Sequence, residues 1–271
     1  MKTRIISGAV LVAVTAAILY LQTLFAPILP FVLGILCAIA VYEILNNTGF
    51  NKNKIYVSAG MILSVIVPFS FNGYIKLPLE IIYVVYTVFI LAVTLRFHKS
   101  VASTAAAAAI VYPIILSYAF SCLCSLTQYK NSGLFFIFVI FCWSSVADTG
   151  AYFTGVIMGR HKMAPVISPK KTWEGLAGGI VLGFLATLLV CFIYDKKIGY
   201  NINYSMVLYA TPFFILAGVL GDLSTSIIKR DCEIKDFGNL IPGHGGILDR
   251  FDSILMIAPI FYQLVRLVYK V

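Results

Sequence analysis

Nine apolar runs, each close to the length of a membrane-spanning helix, follow one another along this chain of 271 residues. A helix needs about 20 mostly apolar residues to cross the hydrocarbon core of a bilayer. The runs occupy residues 5–25, 28–45, 55–71, 77–95, 101–126, 134–157, 176–194, 204–221 and 253–268. We therefore predict an all-α fold, a polytopic integral membrane helical bundle with about nine transmembrane helices.

The composition excludes other classes of protein. Hydrophobic residues make up 61% of the chain and charged residues 11%, against about 45–50% and about 25% in ordinary soluble domains. A soluble enzyme, a secreted disulfide scaffold and a disordered chain are therefore excluded. The six cysteines fall almost entirely inside apolar runs and form no C-x-x-C pair, so we assign them no chemistry.

The basic residues indicate the orientation in the membrane. The net charge is +9, and with nine spans and the N-terminus inside, fourteen of the 20 Lys and Arg residues fall on the cytoplasmic side. Cytoplasmic loops retain positive charge, so we expect the N-terminus and the polar loops 158–175 and 229–252 to be cytoplasmic. We interpret the excess of basic residues as residues that set the membrane topology and contact anionic lipid headgroups. We do not interpret it as a nucleic-acid-binding surface.

The acidic residues cluster in the second half of the chain. Nine of the eleven lie between Asp148 and Asp252, and carboxylates at membrane depth are costly and usually face a cavity, a partner or an ion. The other two, Glu43 and Glu80, lie near the ends of predicted spans, and we interpret them as interfacial carboxylates without a function. In the seventh run, Gly175, Gly179 and Gly183 repeat every four residues, which indicates close helix packing or a homodimer seam.

Two of the acidic residues lie on predicted helix faces with other polar groups. Ser144, Asp148 and Tyr152 are four residues apart within the sixth run, and Asp222, Ser226 and Lys229 share a face if the eighth helix continues. An interhelix hydrogen bond would explain Asp148, and a salt bridge to Lys229 or Arg230 would explain Asp222. An ionised Asp inside an apolar helix nevertheless favours a function.

The polar stretch before the last run has a different character. Pro242, Gly243, Gly245 and Gly246 form a loop whose backbone N–H groups can point at an anion, and Asp249 and Asp252 follow three residues apart. A tight loop would explain the glycines alone. With Lys229, Arg230 and Lys235 upstream, the pattern is more typical of a phosphate-plus-metal site.

The loop before the seventh run carries two more candidate phosphate ligands. Lys170 and Lys171 precede Thr172, a predicted helix N-cap, and Glu174 in the first turn. The two lysines could also be topology signals alone. Oxygen ligands with basic residues nearby are typical of a Mg²⁺ site that binds phosphates. They are not typical of a zinc or iron site. Phosphoryl or nucleotidyl transfer at a membrane surface is the chemistry that remains.

These blocks resemble a known family, the phosphatidate cytidylyltransferases (CDP-diacylglycerol synthases). The resemblance rests on Ser-Ile-Ile-Lys-Arg at 226–230, Lys-Asp at 235–236 and Pro-Gly-His-Gly-Gly-Ile-Leu-Asp-Arg-Phe-Asp at 242–252, with the blocks at 148–160 and 168–175. It implies conversion of CTP and phosphatidate to CDP-diacylglycerol and pyrophosphate with Mg²⁺, in a bacterial inner or plasma membrane. Residues 1–132 would then be an N-terminal region of about five spans, and residues 133–271 the catalytic region.

The resemblance also suggests a role for each candidate residue. Asp222 and Asp249 would hold the metal, with Asp148 and Asp252 completing or orienting its ligands. Phosphate charge would be neutralised by Lys170, Lys171, Lys229 and Arg230, and the remaining substrate-binding candidates are Ser226, Lys235, His244, Gly245, Gly246 and Arg250. The number of metal ions stays open, as does a second divalent or a monovalent cation. The alternatives are another CTP-using lipid phosphotransferase, such as a polyprenol kinase, and an ion-coupled transporter with Asp148 and Asp222 on the ion path.

Overall fold

The structure, a computed structural model, describes residues 2–48, 54–97, 103–129, 132–199, 202–243 and 245–269. Helices dominate these ranges. They are α1 (Lys2–Leu24), α2 (Ile28–Asn47), α3 (Lys54–Phe71), α4 (Leu79–Arg96), α5 (Ser103–Thr127), α6 (Gly133–Phe141), α7 (Ala147–Met158), α8 (Trp173–Ile198), α9 (Tyr204–Asp231), α10 (Leu248–Phe251) and α11 (Ile254–Tyr269).

The predicted fold class is confirmed. Within the described ranges, seven helical segments are long and apolar enough to cross a membrane: α2, α3, α4, α5, the continuous α6–α7 segment, α8 and α9. The apolar part of α1 (Ala13–Leu24) and of α11 (Ile254–Val268) is shorter. The protein is therefore an all-α polytopic membrane protein. Each predicted run matches a helical segment, although one or two end residues of three runs lie outside the helices: Phe25, Leu77, Pro78 and Ser253. The count of nine spans is not confirmed.

A short hairpin departs from the predicted all-helical pattern. Strands β1 (Lys162–Ala164) and β2 (Ser168–Thr172) pair antiparallel, with Lys162 opposite Thr172 and Ala164 opposite Ser168. The sequence gives little sign of it, because the segment is short and polar and lacks the alternation of a half-buried strand. The hairpin leads directly into α8, so its register fixes where Lys170 and Lys171 lie.

The chain forms two compact units that do not follow its order. One unit contains Met1–Ser125 together with Asp231–Phe251, and the other contains Leu126–Arg230 together with Asp252–Val271. We call them the first unit and the second unit. The core of the first unit includes Tyr56, Leu63, Val67, Tyr86, Ile90 and Ala109. The predicted division of the chain at residue 132 stays a prediction.

The core of the second unit is built around aromatic rings. Trp143 stacks on Phe214 with ring centroids 4.4 Å apart, and Phe261 meets the Trp143 ring edge-on at 5.0 Å. The indole Nε1–H of Trp143 donates a hydrogen bond to Thr211 Oγ1 at 3.2 Å, which satisfies the one polar group of this large buried side chain. These contacts tie α9 and α11 to the segment that carries Asp148.

The glycine stripe of α8 lies against α7. A Cβ atom at Gly179 would lie 2.7 Å from the carbonyl oxygen of Ala147, and one at Gly175 would lie 2.7 Å from that of Ala151. Only glycine permits this approach of two helices. The stripe is therefore used in packing within the second unit, and the predicted homodimer stays a prediction.

A π-helical turn, Cys142–Val146, separates α6 from α7. Because such a turn inserts an extra residue, it shifts the faces of the helix on its two sides. Ser144 is buried and its hydroxyl donates to the carbonyl of Ile140 at 2.9 Å, whereas Asp148 and Tyr152 are exposed. The predicted single stripe of Ser144, Asp148 and Tyr152 is thus interrupted between its first two members.

Candidate active site

A cavity of about 290 Å³ in the second unit brings several of the predicted site residues together. Its charged lining comes from the hairpin and from helices α7 and α9, and consists of Asp148, Lys170, Lys171 and Asp222. Most of the remaining lining is apolar and includes Trp143, Ala147, Ala151, Met163, Leu176, Ile215 and Val219. The cavity therefore offers one charged region and an apolar remainder.

The hairpin that carries Lys170 and Lys171 is fixed to the start of α8. Thr172 is the N-cap, as predicted, and its Oγ1 accepts the N–H of Gly175 at 3.1 Å. The Glu174 carboxylate accepts the backbone N–H groups of Arg160 at 3.1 Å and His161 at 3.2 Å, and lies 2.5 Å from His161 Nδ1. One carboxylate thus holds the entry to the hairpin.

The turn of the hairpin is held from α9. Arg230 Nε donates a hydrogen bond to the carbonyl oxygen of Ile167 at 3.1 Å, and the Arg230 side chain is otherwise exposed. This contact gives Arg230 a part in placing the hairpin, which the sequence analysis did not foresee. Its predicted role in neutralising phosphate stays a prediction.

Asp222 is the centre of the polar contacts in the cavity. Its carboxylate forms an ion pair with the Lys171 ammonium, and each of these side chains is about a quarter exposed or less. The Ser226 hydroxyl lies 3.5 Å from Asp222 Oδ1, so the predicted i, i+4 pairing on α9 is present. The salt bridge expected for Asp222 therefore forms with Lys171 of the hairpin, on another element.

The backbone of Asp252 lies close to α9 at Gly221, the residue before Asp222. A Cβ atom at Gly221 would lie 2.6 Å from the carbonyl oxygen of Asp252, so glycine is required for this approach. The pKa of the Asp252 carboxyl is raised to about 7, first by burial and then by the negative charge of Asp222 and, to a smaller extent, of Asp148, against the opposing effect of Lys229. These three charged groups of the second unit therefore lie within electrostatic reach of Asp252.

The donor set suits Mg²⁺ held jointly with a substrate. Within the part of the chain that the structure describes, no three His, Cys, Asp or Glu side chains form a ready-made metal cluster. Mg²⁺, however, is usually bound through one or two carboxylates plus substrate phosphates and water. Asp222 and Asp252 supply two oxygen donors of this kind. The pKa of Asp252 is raised first by burial and then by the negative charge of Asp222, and a bound cation would oppose both effects.

Residues 237–249, which we call the glycine-rich loop, belong to the first unit. The Asp249 side chain holds the two ends of this loop together. The Asp249 carboxylate is 7% exposed, and its Oδ2 accepts the backbone N–H groups of Phe237 at 2.8 Å and Gly246 at 3.0 Å. The N–H of Ile241 donates to the carbonyl of Gly245 at 3.0 Å, and Gly245 has φ +82°. Asp249 therefore has a loop-fixing role besides its predicted metal role, which stays a prediction.

The remaining predicted residues are placed as follows. Lys235 and Arg250 of the first unit and Lys170 of the second unit are exposed, and His244 lies outside the described residues. The N–H of Gly246, predicted to help bind the nucleotide, is engaged by Asp249. The predicted role of Gly245 and Gly246 in binding the nucleotide stays a prediction.

Glu43 has a role in the structure that the sequence alone does not predict. Its placement at a membrane interface stays a prediction, but the carboxylate does have a structural role, because the side chain is 6% exposed and accepts the backbone N–H groups of Ile247 and Leu248. These partners lie more than 200 residues further along the chain, so no local pattern points to them. The available signal was the placement of a carboxylate inside an apolar run.

Comparison with known proteins assigns the class of this membrane protein. The chain matches the model of the cytidylyltransferase family over residues 2–268, and it belongs to that family. The predicted family is thereby confirmed.

Individual relatives carry a more specific name. A Bacillus subtilis protein named phosphatidate cytidylyltransferase is 45% identical over 143 residues, which are 53% of this chain and 51% of that protein. Proteins of the same name from Staphylococcus haemolyticus and Staphylococcus aureus are 42% and 43% identical over 131 residues, which are 48% of this chain and 49% of each relative. The chain thus spans about half the length of the curated relatives it matches.

Proposed function

We propose that this chain is a membrane nucleotidyltransferase that converts CTP and phosphatidate to CDP-diacylglycerol and pyrophosphate in phospholipid biosynthesis. Membership of the cytidylyltransferase family supports the use of CTP. The printed name of the Bacillus and Staphylococcus relatives supports phosphatidate as the acceptor. The resemblance at residues 226–252 points the same way.

The observation that carries the proposal is the cavity of the second unit. Two lysines and two aspartates form its charged region, and apolar side chains form most of the rest. A phospholipid with a phosphate head and acyl chains has the same division of polar and apolar parts. We expect the phosphate of phosphatidate to lie near Lys170 and Lys171, with the apolar wall beside the glycerol and the first part of the chains.

The reaction needs little acid–base chemistry from the protein. A phosphomonoester has a second pKa of about 6, so the phosphate of phosphatidate is already an oxyanion at neutral pH. One of its oxygens attacks the α-phosphorus of CTP, the new P–O bond forms, and the bond from the α-phosphorus to the bridging oxygen breaks. Pyrophosphate leaves with that electron pair, and no proton has to be removed from the nucleophile.

The main obstacle is repulsion between two polyanions, and the charged residues act on it. Lys170, Lys171, Lys229 and Arg230 would bind and orient phosphate oxygens, and breaking the ion pair with Asp222 would free Lys171 for this purpose. Asp222 and Asp252 would hold Mg²⁺, with Asp148 orienting them. When bound, Mg²⁺ supplies charge neutralisation at the phosphates of the nucleotide.

The membrane location fits the substrates. Phosphatidate is a lipid and CTP a cytoplasmic nucleotide, and the count of basic residues supports cytoplasmic placement of loops 158–175 and 229–252. We therefore propose an integral protein of the bacterial inner or plasma membrane, with its N-terminus in the cytoplasm.

Release of pyrophosphate from CTP by the purified protein tests this function. In detergent micelles that contain phosphatidate, we expect pyrophosphate and CDP-diacylglycerol in equal amounts, with Mg²⁺ and not with EDTA. Parallel assays replace phosphatidate with a polyprenol or with diacylglycerol. Product from either of these, and none from phosphatidate, would favour a lipid kinase and contradict the proposal. Ion flux into liposomes without CTP consumption would favour a transporter.

A further inference from the structure

Glu43 on α2 holds the backbone of the glycine-rich loop in one orientation. Its Oε1 accepts the N–H of Ile247 at 3.0 Å and its Oε2 accepts the N–H of Leu248 at 2.9 Å. All three residues belong to the first unit. Because both carboxylate oxygens are engaged and the side chain is buried, Glu43 cannot turn without giving up one of the two bonds.

Two glycines of the loop make room for this carboxylate. A Cβ atom at Gly246 would lie 2.5 Å from both oxygens of Glu43, and one at Gly238 would also collide with the Glu43 side chain. One helical turn further, Asn47 Nδ2 donates to the carbonyl oxygen of Phe237 at 2.6 Å. The last turns of α2 therefore contact the loop near both of its ends, at residues 237–238 and 246–248.

Two carboxylates accept four of the backbone N–H groups of the loop. Asp249 accepts the N–H groups of Phe237 and Gly246, and Glu43 accepts those of Ile247 and Leu248. Successive N–H groups in such a loop are suited to an external anion. Here the protein's own carboxylates bind three of them in sequence, at 246, 247 and 248, so the loop is shaped before any substrate arrives.

We propose that Glu43 is a positioning residue for CTP: it touches no substrate and fixes the loop that carries Gly245 and Asp249. The proposal rests on the proposed function for its kinetic consequence. Without Glu43, two buried N–H groups lose their acceptor and the loop must rearrange to satisfy them. The affinity for the nucleotide falls as a result, whereas the lipid-binding step is unaffected.

Kinetics of E43A and E43Q test the proposal, with E80Q as the matched control because Glu80 is an exposed carboxylate at the start of α4. We expect E43A to lower kcat/KM for CTP by about 10- to 100-fold, since small misplacements of a site have effects of this size. Most of the loss should appear as a raised KM for CTP, with KM for phosphatidate changed less than about twofold. E43Q keeps one oxygen acceptor and should recover most of the loss.

Hydrogen exchange gives a readout that does not depend on activity. The amides of Ile247 and Leu248 should exchange faster in E43A and, to a smaller extent, in E43Q, and not in E80Q. If E43A does not fold, E43Q carries both tests. Wild-type kcat/KM for CTP in the folded variants, an equal rise of KM for both substrates, or unchanged amide exchange would each overturn the proposal. Faster exchange in a protein whose wild type does not use CTP would refute the proposed function and leave the structural role of Glu43 intact.

Discussion

Asp222 is the residue on which the proposed chemistry depends most. The variant Asp222→Asn should lower kcat by at least about 100-fold, because it removes a proposed metal ligand. Pyrophosphate release measures the effect, and size-exclusion chromatography checks that the variant is folded. The control is Asp195→Asn, which changes a carboxylate near the C-terminal end of α8, away from the hairpin. This variant should be fully active. Near-normal activity of the Asp222 variant would contradict the metal assignment.

The raised pKa of Asp252 predicts that, in the absence of divalent cations, the free energy of unfolding depends on pH. Its pKa is about 7 in the folded protein and 3.8 without the influence of the fold. Well below pH 3.8 the carboxyl is neutral in both states and carries no penalty. Between these values the unfolded state releases the proton more readily, so the folded state loses stability as the pH rises to about 7.

The isosteric variant Asp252→Asn lacks this penalty. In EDTA it should therefore unfold at a higher temperature than the wild type at pH 8, and the difference should shrink towards pH 4. Thermal unfolding of the detergent-solubilised protein across this range measures it. A constant difference at all pH values would show that Asp252 does not titrate as described.

Side-chain contacts between residues that are far apart in the sequence could not be predicted, whereas contacts within one helical turn could. The i, i+4 placement of Asp222 and Ser226 and the Thr172 cap could be predicted, because both depend on residues within one turn of helix. The partners of Glu43 could not, since they follow from the path of the chain in three dimensions. The same holds for the ion pair of Asp222 with Lys171, which joins α9 to the hairpin.

At the scale of elements, Glu174 controls the hairpin. The variant Glu174→Ala removes the acceptor of two backbone N–H groups and of the His161 ring, so the hairpin entry should loosen. We expect faster amide exchange at residues 160 and 161 and a fall in activity of about tenfold, because Lys170 and Lys171 are no longer held in place.

His161→Ala provides the matched comparison for this prediction. It removes the ring contact but leaves both backbone hydrogen bonds to Glu174, so its effects on amide exchange and on activity should be much smaller. Equal effects of the two variants would mean that the ring contact, and not the backbone clamp, orders the hairpin.

The helices could be predicted better than the elements between them. The run predicted at 134–157 corresponds to the continuous helical segment Gly133–Met158, because a helix that crosses the hydrocarbon core needs a long apolar run, which is visible in the sequence. The π-helical turn inside it has no counterpart in the apolar pattern, and the hairpin has too few apolar residues to produce one. Both of these irregular features lie beside predicted site residues, Asp148 and Lys170.

At the scale of the whole molecule, the count of basic residues predicts the topology. Lys76, between α3 and α4, should face outwards, and Lys162 of β1 should face the cytoplasm; both side chains are exposed. Single cysteines at these positions, in a background with Cys232→Ser, can be labelled with a membrane-impermeant maleimide in right-side-out vesicles. K76C should react directly and K162C only after permeabilisation. The opposite pattern would reverse the proposed orientation.

The membership of the glycine-rich loop in the first unit has a consequence for how this protein can be dissected. Residues 231–251 follow α9 in the chain but share their compact unit with the helices of the first 125 residues, and Glu43 of α2 supplies two of the loop's hydrogen bonds. A gene fragment that starts after α5 would encode all the sequence blocks between residues 148 and 252 that carry the family resemblance, but it would lack Glu43, which shapes the loop. These blocks therefore cannot be transferred to another protein by themselves. Chimeras between relatives should exchange α2 and the loop together.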